Sequence, residues 1–169
     1  MENSFVKWFA SYQNQDENAV KKLLEDRSAI YFLMTWSIFE TVCFGNFMKY
    51  KDVEKLPKKV VERKGFDREV FDASIKHFHC RYQDKELYKN LIFEAKNDNE
   101  KVKNILQKDL SQVCDHEAIL LLTFVIYRYR NNIFHGNKGV SGWLKFTTEI
   151  NHCSSCMQNF IDLLKSTDN

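Results

Sequence analysis

Hydrophobic and polar positions recur along this chain with the period of a helix, not of a strand. In residues 3–13, Phe5, Val6, Trp8, Phe9 and Tyr12 fall at helical spacing behind Asn3 or Ser4 as a cap. Asp16 opens a second helix with Val20, Leu23 and Leu24 on one face. Residues 28–48 form the longest apolar stretch, and the pattern predicts a core helix buried on several sides. Residues 49–66 read as a connector that holds the only proline, Pro57. A short helix through Leu56, Val60 and Val61 follows it, and Gly65 closes the piece. A helix from Asp67 to about Tyr82 turns Val70, Phe71, Ile75 and Phe78 inward. Residues 84–95 carry Leu87, Leu91 and Ile92, and residues 99–110 carry Val102, Ile105, Leu106 and Leu110, with a polar turn between them. A last helix, 142–165, follows a glycine-rich loop and presents Leu144, Phe146, Ile150, Met157, Phe160 and Ile161.

One segment differs from the rest. Residues 116–136, HEAILLLTFVIYRYRNNIFHG, begin behind Asp115 as a cap and run apolar from Ala118 to Tyr127 with only Thr123 as a polar interruption. They then end in Arg128, Arg130, Asn131, Asn132 and His135 before Gly136. Such a helix anchors itself in a core, with residues 118–127 also expected along a dimer seam, and delivers two arginines, two amides and an imidazole at one end.

Composition narrows the class. Five glycines and one proline in 169 residues are too few turn formers for a β or α/β fold, so the expected class is all-α. The length suits one domain, 1–169, able to bury about 70% of its unfolded surface. A net charge of +2 does not by itself imply nucleic-acid binding. Residues 49–68 hold eight Lys/Arg against four Asp/Glu, a modest basic stretch that reads as a solvated connector. The 28–48 stretch is long enough to span a bilayer, but Glu40 inside it would be costly at mid-membrane, which argues against a membrane role. Glu40 then becomes a partly buried acid in need of a partner, or one that faces solvent or caps a local hydrogen bond. Five cysteines, an odd number, without a signal peptide, point to reduced thiols and a cytoplasmic location.

Arg130 and His135 carry the sharpest chemistry. Arginine offers a permanent charge and a forked donor set suited to phosphate oxygens. Histidine titrates near neutral pH and moves protons. Together they fit RNA cleavage by its own 2′-hydroxyl: a base takes the proton, the 2′ oxygen attacks phosphorus, and a cation stabilises the charged transition state. That route needs neither metal nor cofactor. Residues five apart on an unbroken helix stand about 140° apart. Either the helix unwinds near Asn131 and Asn132, or a two-fold partner supplies the second set of groups. Two other clusters are weaker. Cys153 and Cys156 form a lone CxxC that reads as buried inert thiols rather than zinc ligands. His77 and His79 point about 200° apart on a helix and read as solvated or satisfied surface histidines.

Residues 115–136, with Arg130, Asn131 and His135 behind a long core helix, resemble the signature of the HEPN superfamily (higher eukaryote and prokaryote nucleotide-binding domains). The resemblance implies an up-and-down helical bundle, usually a two-fold homodimer. It implies metal-independent endoribonuclease activity on RNA, as in toxins of toxin–antitoxin pairs and phage-defence proteins, with Arg130, Asn131 and His135 as site residues. Some members add an acid from the earlier core helix, a place that Glu40 would fill. A nucleotidyltransferase-type antitoxin is a further partner it implies. Other members have lost catalysis and serve as dimerisation, nucleotide-binding or partner-binding modules, which is the alternative reading for this chain.

Overall fold

The computed structural model describes residues 2–92, 98–134 and 145–165. All regular structure among them is helical: α1 (Glu2–Gln13), α2 (Glu17–Glu25), α3 (Ser28–Phe44), α4 (Lys55–Val61), α5 (Glu69–Arg81), α6 (Lys85–Leu91), α7 (Asp98–Gln107), α8 (Asp115–Phe134) and α9 (Thr147–Lys165). Single 3-10 turns at Tyr50–Asp52 and Leu110–Gln112 precede α4 and α8. The fold is an all-α helical bundle. Among the described residues no helix is long and apolar enough to cross a membrane.

α8 lies at the centre, touching α3, α4, α5, α7 and α9, while α3 and α9 pack along each other. Residues 118–126 are all buried within this one chain, and Ile119, Leu121, Leu122, Phe124, Val125 and Ile126 have no exposed surface. They leave no face for a second copy, so the expected dimer seam does not run along 118–126, and of the stretch 118–127 Tyr127 alone is still partly open. The one hydroxyl in the run is satisfied locally: Thr123 Oγ1 donates to the Ile119 carbonyl at 2.7 Å. Phe160 joins three helices, its ring 6.0 Å from Phe39 on α3 and 4.8 Å from Phe71 on α5. A second, small core of Val6, Ala10 and Val20 sits between α1 and α2, with Phe9 against it.

Several boundaries differ from the sequence expectation, each for a local reason. α3 ends at Phe44 rather than 48, because Gly45 takes a left-handed conformation (φ 71°) and its N–H closes on the Thr41 carbonyl. The chain then folds back so that Met48 enters the core. α4 starts at Lys55, ahead of Pro57, which sits in the first turn where its missing N–H is harmless. Gly65 follows with φ 89°, a turn that glycine adopts without strain. Val70 and Leu24, expected inside, are exposed. α1 starts at Glu2, ahead of both proposed caps, and α6 ends at Leu91. Asp16 caps α2 as expected, its carboxylate accepting from Asn18 and Ala19.

One side chain ties the starts of α3 and α9. Asp26 accepts from the Ser28 N–H at the start of α3 (2.8 Å) and from Thr147 Oγ1 at the start of α9 (2.7 Å). Burial alone would raise this carboxyl, but those hydrogen bonds hold it below its ordinary value.

The packing predicts that Phe160→Ala destabilises the fold by about 3–5 kcal/mol, as large core aromatics do. Lys76→Ala, at an exposed position of α5, should stay within about 0.5 kcal/mol. Urea denaturation followed by circular dichroism separates the two.

Candidate functional site

The polar end of α8 emerges where its apolar run stops. Tyr127, Arg128, Arg130, Asn131 and Asn132 are half-buried there, while Tyr129 and Ile133 still face the core. The helix stays regular through Asn131 and Asn132 to Phe134. The unwinding considered from the sequence therefore does not occur at those two residues. His135 lies outside the described residues.

Arg130 is held on two sides. Its Nη1 donates to the Asn131 Oδ1 at 3.0 Å. Its guanidinium carbon stands 5.6 Å from the centroid of the Trp36 ring on α3, close enough for a cation–π attraction of about 0.5–2 kcal/mol. Neighbours along a helix normally diverge, so the bond between residues 130 and 131 reflects side chains bent toward each other. Asn131 thereby orients the arginine fork. Arg128, on another face, donates through Nε to the Asn90 carbonyl at 3.0 Å, which ties α8 to the end of α6.

Glu40 occupies a structural position. Its Oε1 accepts the Met48 N–H at 3.0 Å and so pins the turn after α3 back on the helix. It is four residues beyond Trp36, hence on the same flank of α3. Trp36 is the residue that sequence reasoning missed. It is 3% exposed and looks like any other core aromatic in the 28–48 run.

A second polar cluster joins α5 to α9. Glu149 is 5% exposed and accepts from Arg81 Nη1 at 2.8 Å, with His77 Nε2 3.6 Å from the same oxygen. The His77 ring stacks on His152 with centroids 4.4 Å apart, and the Ser74 Oγ lies 2.9 Å from His152 Nδ1. The Arg81 guanidinium also rests 5.9 Å from the Tyr82 and Phe146 ring centroids. Here the expectation of surface histidines is corrected. His77 is part of this cluster, and His79 is 3% exposed with its Nδ1 3.4 Å from the Gln83 amide nitrogen. No signal in the sequence marked Glu149 or Arg81. Among the described residues, no three His, Cys, Asp or Glu side chains converge as metal ligands would.

The CxxC thiols are buried. Burial raises Cys156 to about 12 and Cys153 well above its ordinary range, and it raises Cys43 to about 12 against a small opposing pull from Lys59. Cys80 and Cys114 are exposed. Brief maleimide treatment of the native protein should therefore label Cys80 and Cys114, and label Cys43, Cys153 and Cys156 only after denaturation. Intact-protein mass spectrometry counts the adducts, and early labelling of Cys153 would contradict the packing.

His152 gives stability a pH dependence. Burial, and then the neighbouring His77, hold the His152 imidazole below its ordinary value of 6.5, with Glu149 pulling the other way. The unfolded chain takes up this proton first, so the contribution is complete above about pH 6.5 and is lost as pH falls through the folded value. The carboxylates held low by hydrogen bonds, Asp26, Asp52 and Glu117, act in the same sense but nearer their ordinary values of 3.8 to 4.5. The urea midpoint should fall between about pH 7 and pH 5, and His152→Gln should flatten that limb while leaving the more acid one. An unchanged limb in the variant would assign the effect elsewhere.

No protein-family model, curated protein or solved structure matches this chain.

Proposed function

We propose that the chain is a metal-independent endoribonuclease of the HEPN type, acting at the polar end of α8. The observation that supports it most is the setting of Arg130, oriented by the Asn131 amide and laid on the Trp36 ring, five residues before a histidine. A cation fixed before the substrate arrives stabilises developing phosphate charge without reorganising during the reaction.

In this reading His135 removes the 2′-hydroxyl proton, and the 2′ oxygen attacks the adjacent phosphorus. The phosphorus–oxygen bond to the 5′ carbon breaks, and the departing oxygen takes up a proton. The products are a 2′,3′-cyclic phosphate and a 5′-hydroxyl. Arg130 bears the charge of the phosphorane-like transition state, and Asn131 keeps its fork aimed. Glu40 serves chiefly to hold the turn at Met48, with any effect on Arg130 passing through the Trp36 flank. RNA is the substrate class, a homodimer the working assembly, and a nucleotidyltransferase-type antitoxin a candidate partner.

The alternative is a non-catalytic module that binds a nucleotide or a partner protein. The modest charge of +2 favours it, since RNA binding draws on many cations. Incubation of end-labelled RNA in EDTA distinguishes the two. Wild type should yield cyclic-phosphate ends, and Arg130→Ala and His135→Ala should each lower the rate about 100-fold or more. Asn131→Ala, which only frees the fork, should cost about tenfold. Equal cleavage by wild type and variants would assign the activity to a contaminant, and intact RNA with saturable nucleotide binding would favour the binding module.

A further inference from the structure

The basic stretch 49–68 is not a uniform connector. Four of its cations are tied into the fold: Lys55 to Asp52, Lys59 to the Cys43 carbonyl, Arg63 to the Leu164 carbonyl and Arg68 to Asp115. Its first residues, with the turn before them, are built differently. From Phe47 to Asp52 the side chains alternate. Met48 and Asp52 are buried and Tyr50 is half-buried, while Phe47, Lys49 and Lys51 stand exposed, Phe47 at 74%. The backbone between them is fixed. Asn46 Oδ1 accepts the Phe47 N–H at 2.9 Å, Glu40 Oε1 the Met48 N–H at 3.0 Å, and Asp52 Oδ2 the Lys49 N–H at 2.9 Å. Glu40 and Asp52 are thus engaged in holding the segment, and Lys55 and Lys51 offset the charge of Asp52.

This segment borders the polar end of α8 from two sides. The Tyr50 ring lies 5.9 Å from the Tyr127 ring. Tyr127 precedes Arg130 and Asn131 by one turn and shares a flank of α8 with them. On the other side, Glu40, which holds Met48, is one turn of α3, about 6 Å, from Trp36, whose ring carries Arg130.

We infer that Phe47, Lys49 and Lys51 hold single-stranded RNA beside the scissile phosphate. An unpaired base stacks on the Phe47 ring, and the two ammonium groups meet the phosphates that flank it. The inference adds substrate-positioning residues to the site proposed above, and it rests on that reading for the place of the scissile phosphate. Two features select a single strand. A ring interleaved with cations along one fixed backbone can stack a base while tracking the phosphates on either side of it. A duplex offers no open base face to such a ring. The net charge of +2 fits a short contact of this kind, which draws on a few local cations rather than on a broad basic surface.

Fluorescence anisotropy on the full chain tests binding with a short labelled 2′-O-methyl RNA, which lacks the attacking hydroxyl. Wild type should bind it. Phe47→Ser should weaken binding about 5- to 100-fold, and Phe47→Trp should restore it. Lys49→Gln combined with Lys51→Gln should lower the slope of log affinity against log salt by about 1.4, two phosphates at roughly 0.7 each. Lys76→Gln, on the exposed surface of α5, should change neither. The substituted positions are exposed, so each variant should keep the wild-type circular dichroism. In the cleavage assay Phe47→Ser should raise KM and leave kcat within about twofold, because a base held away from the reacting bonds is bound equally in the ground and transition states. Wild type that binds no RNA overturns the inference. So does binding that Phe47→Ser and the lysine pair leave intact, or a duplex bound as tightly as the single strand. Binding that depends on Phe47, without cleavage of ordinary RNA, upholds this surface and overturns the nuclease reading. Cleavage whose KM neither variant alters does the reverse.

Discussion

Residues 118–126 of α8 have no side open to water, and that burial sets the arrangement of the remaining helices. Each fully buried leucine, isoleucine, valine or phenylalanine contributes about 1.5–3 kcal/mol relative to exposure, so the run stabilises the fold only if it is enclosed all round. α3, α4, α5, α7 and α9 supply that enclosure. Enclosure also fixes the axis of α8, and with it the place where the helix becomes polar. Arg130 reaches the Trp36 ring because the two helices have been locked by apolar packing several turns away, not because the arginine pulls them together.

The two arginine clusters of this chain illustrate different uses of the same side chain. Arg81 meets a nearly inaccessible carboxylate, Glu149, and stitches α5 to α9. A pair of this kind does little for net stability, but removing one partner leaves an uncompensated charge in the core. Arg130 is oriented by an amide and by an aromatic face, an arrangement that sets direction rather than cancelling charge. Glu40 has the duty of a backbone cap, which is reason enough for a carboxylate within an otherwise apolar helix.

The fold class was legible because helical periodicity is written into nearly every segment and glycine and proline are scarce. The centre of the bundle was legible because α8 lacks a polar face over more than two turns. Boundaries were less so: Gly45 could have been a passing glycine in a long helix, and only the reversal that buries Met48 makes it a terminator. Val70 and Leu24 misled because apolar identity at helical spacing does not say which flank meets a neighbour. Of the candidate site, Arg130 and Asn131 could be picked out by type and position. Trp36, nearly a hundred residues earlier in the chain, carried no mark of its role. Glu149 and His152 were hidden for the same reason, since their partners on α5 are joined to them only by tertiary packing.

The pairing of α3 with α9, tied by Asp26 and Thr147 across a separation of 121 residues, bears on how the chain is made. A ribosome delivers α3 long before α9 exists. Phe32 and Phe39, which end fully enclosed, must wait for α9 before their final packing is complete. Contacts of such long range are entropically slow to close, and apolar surface exposed in the interval invites association between nascent chains. Synthesis is therefore the stage at which the apolar face of α3 is most open to association, and the time taken to translate the segment between the two helices sets how long that exposure lasts.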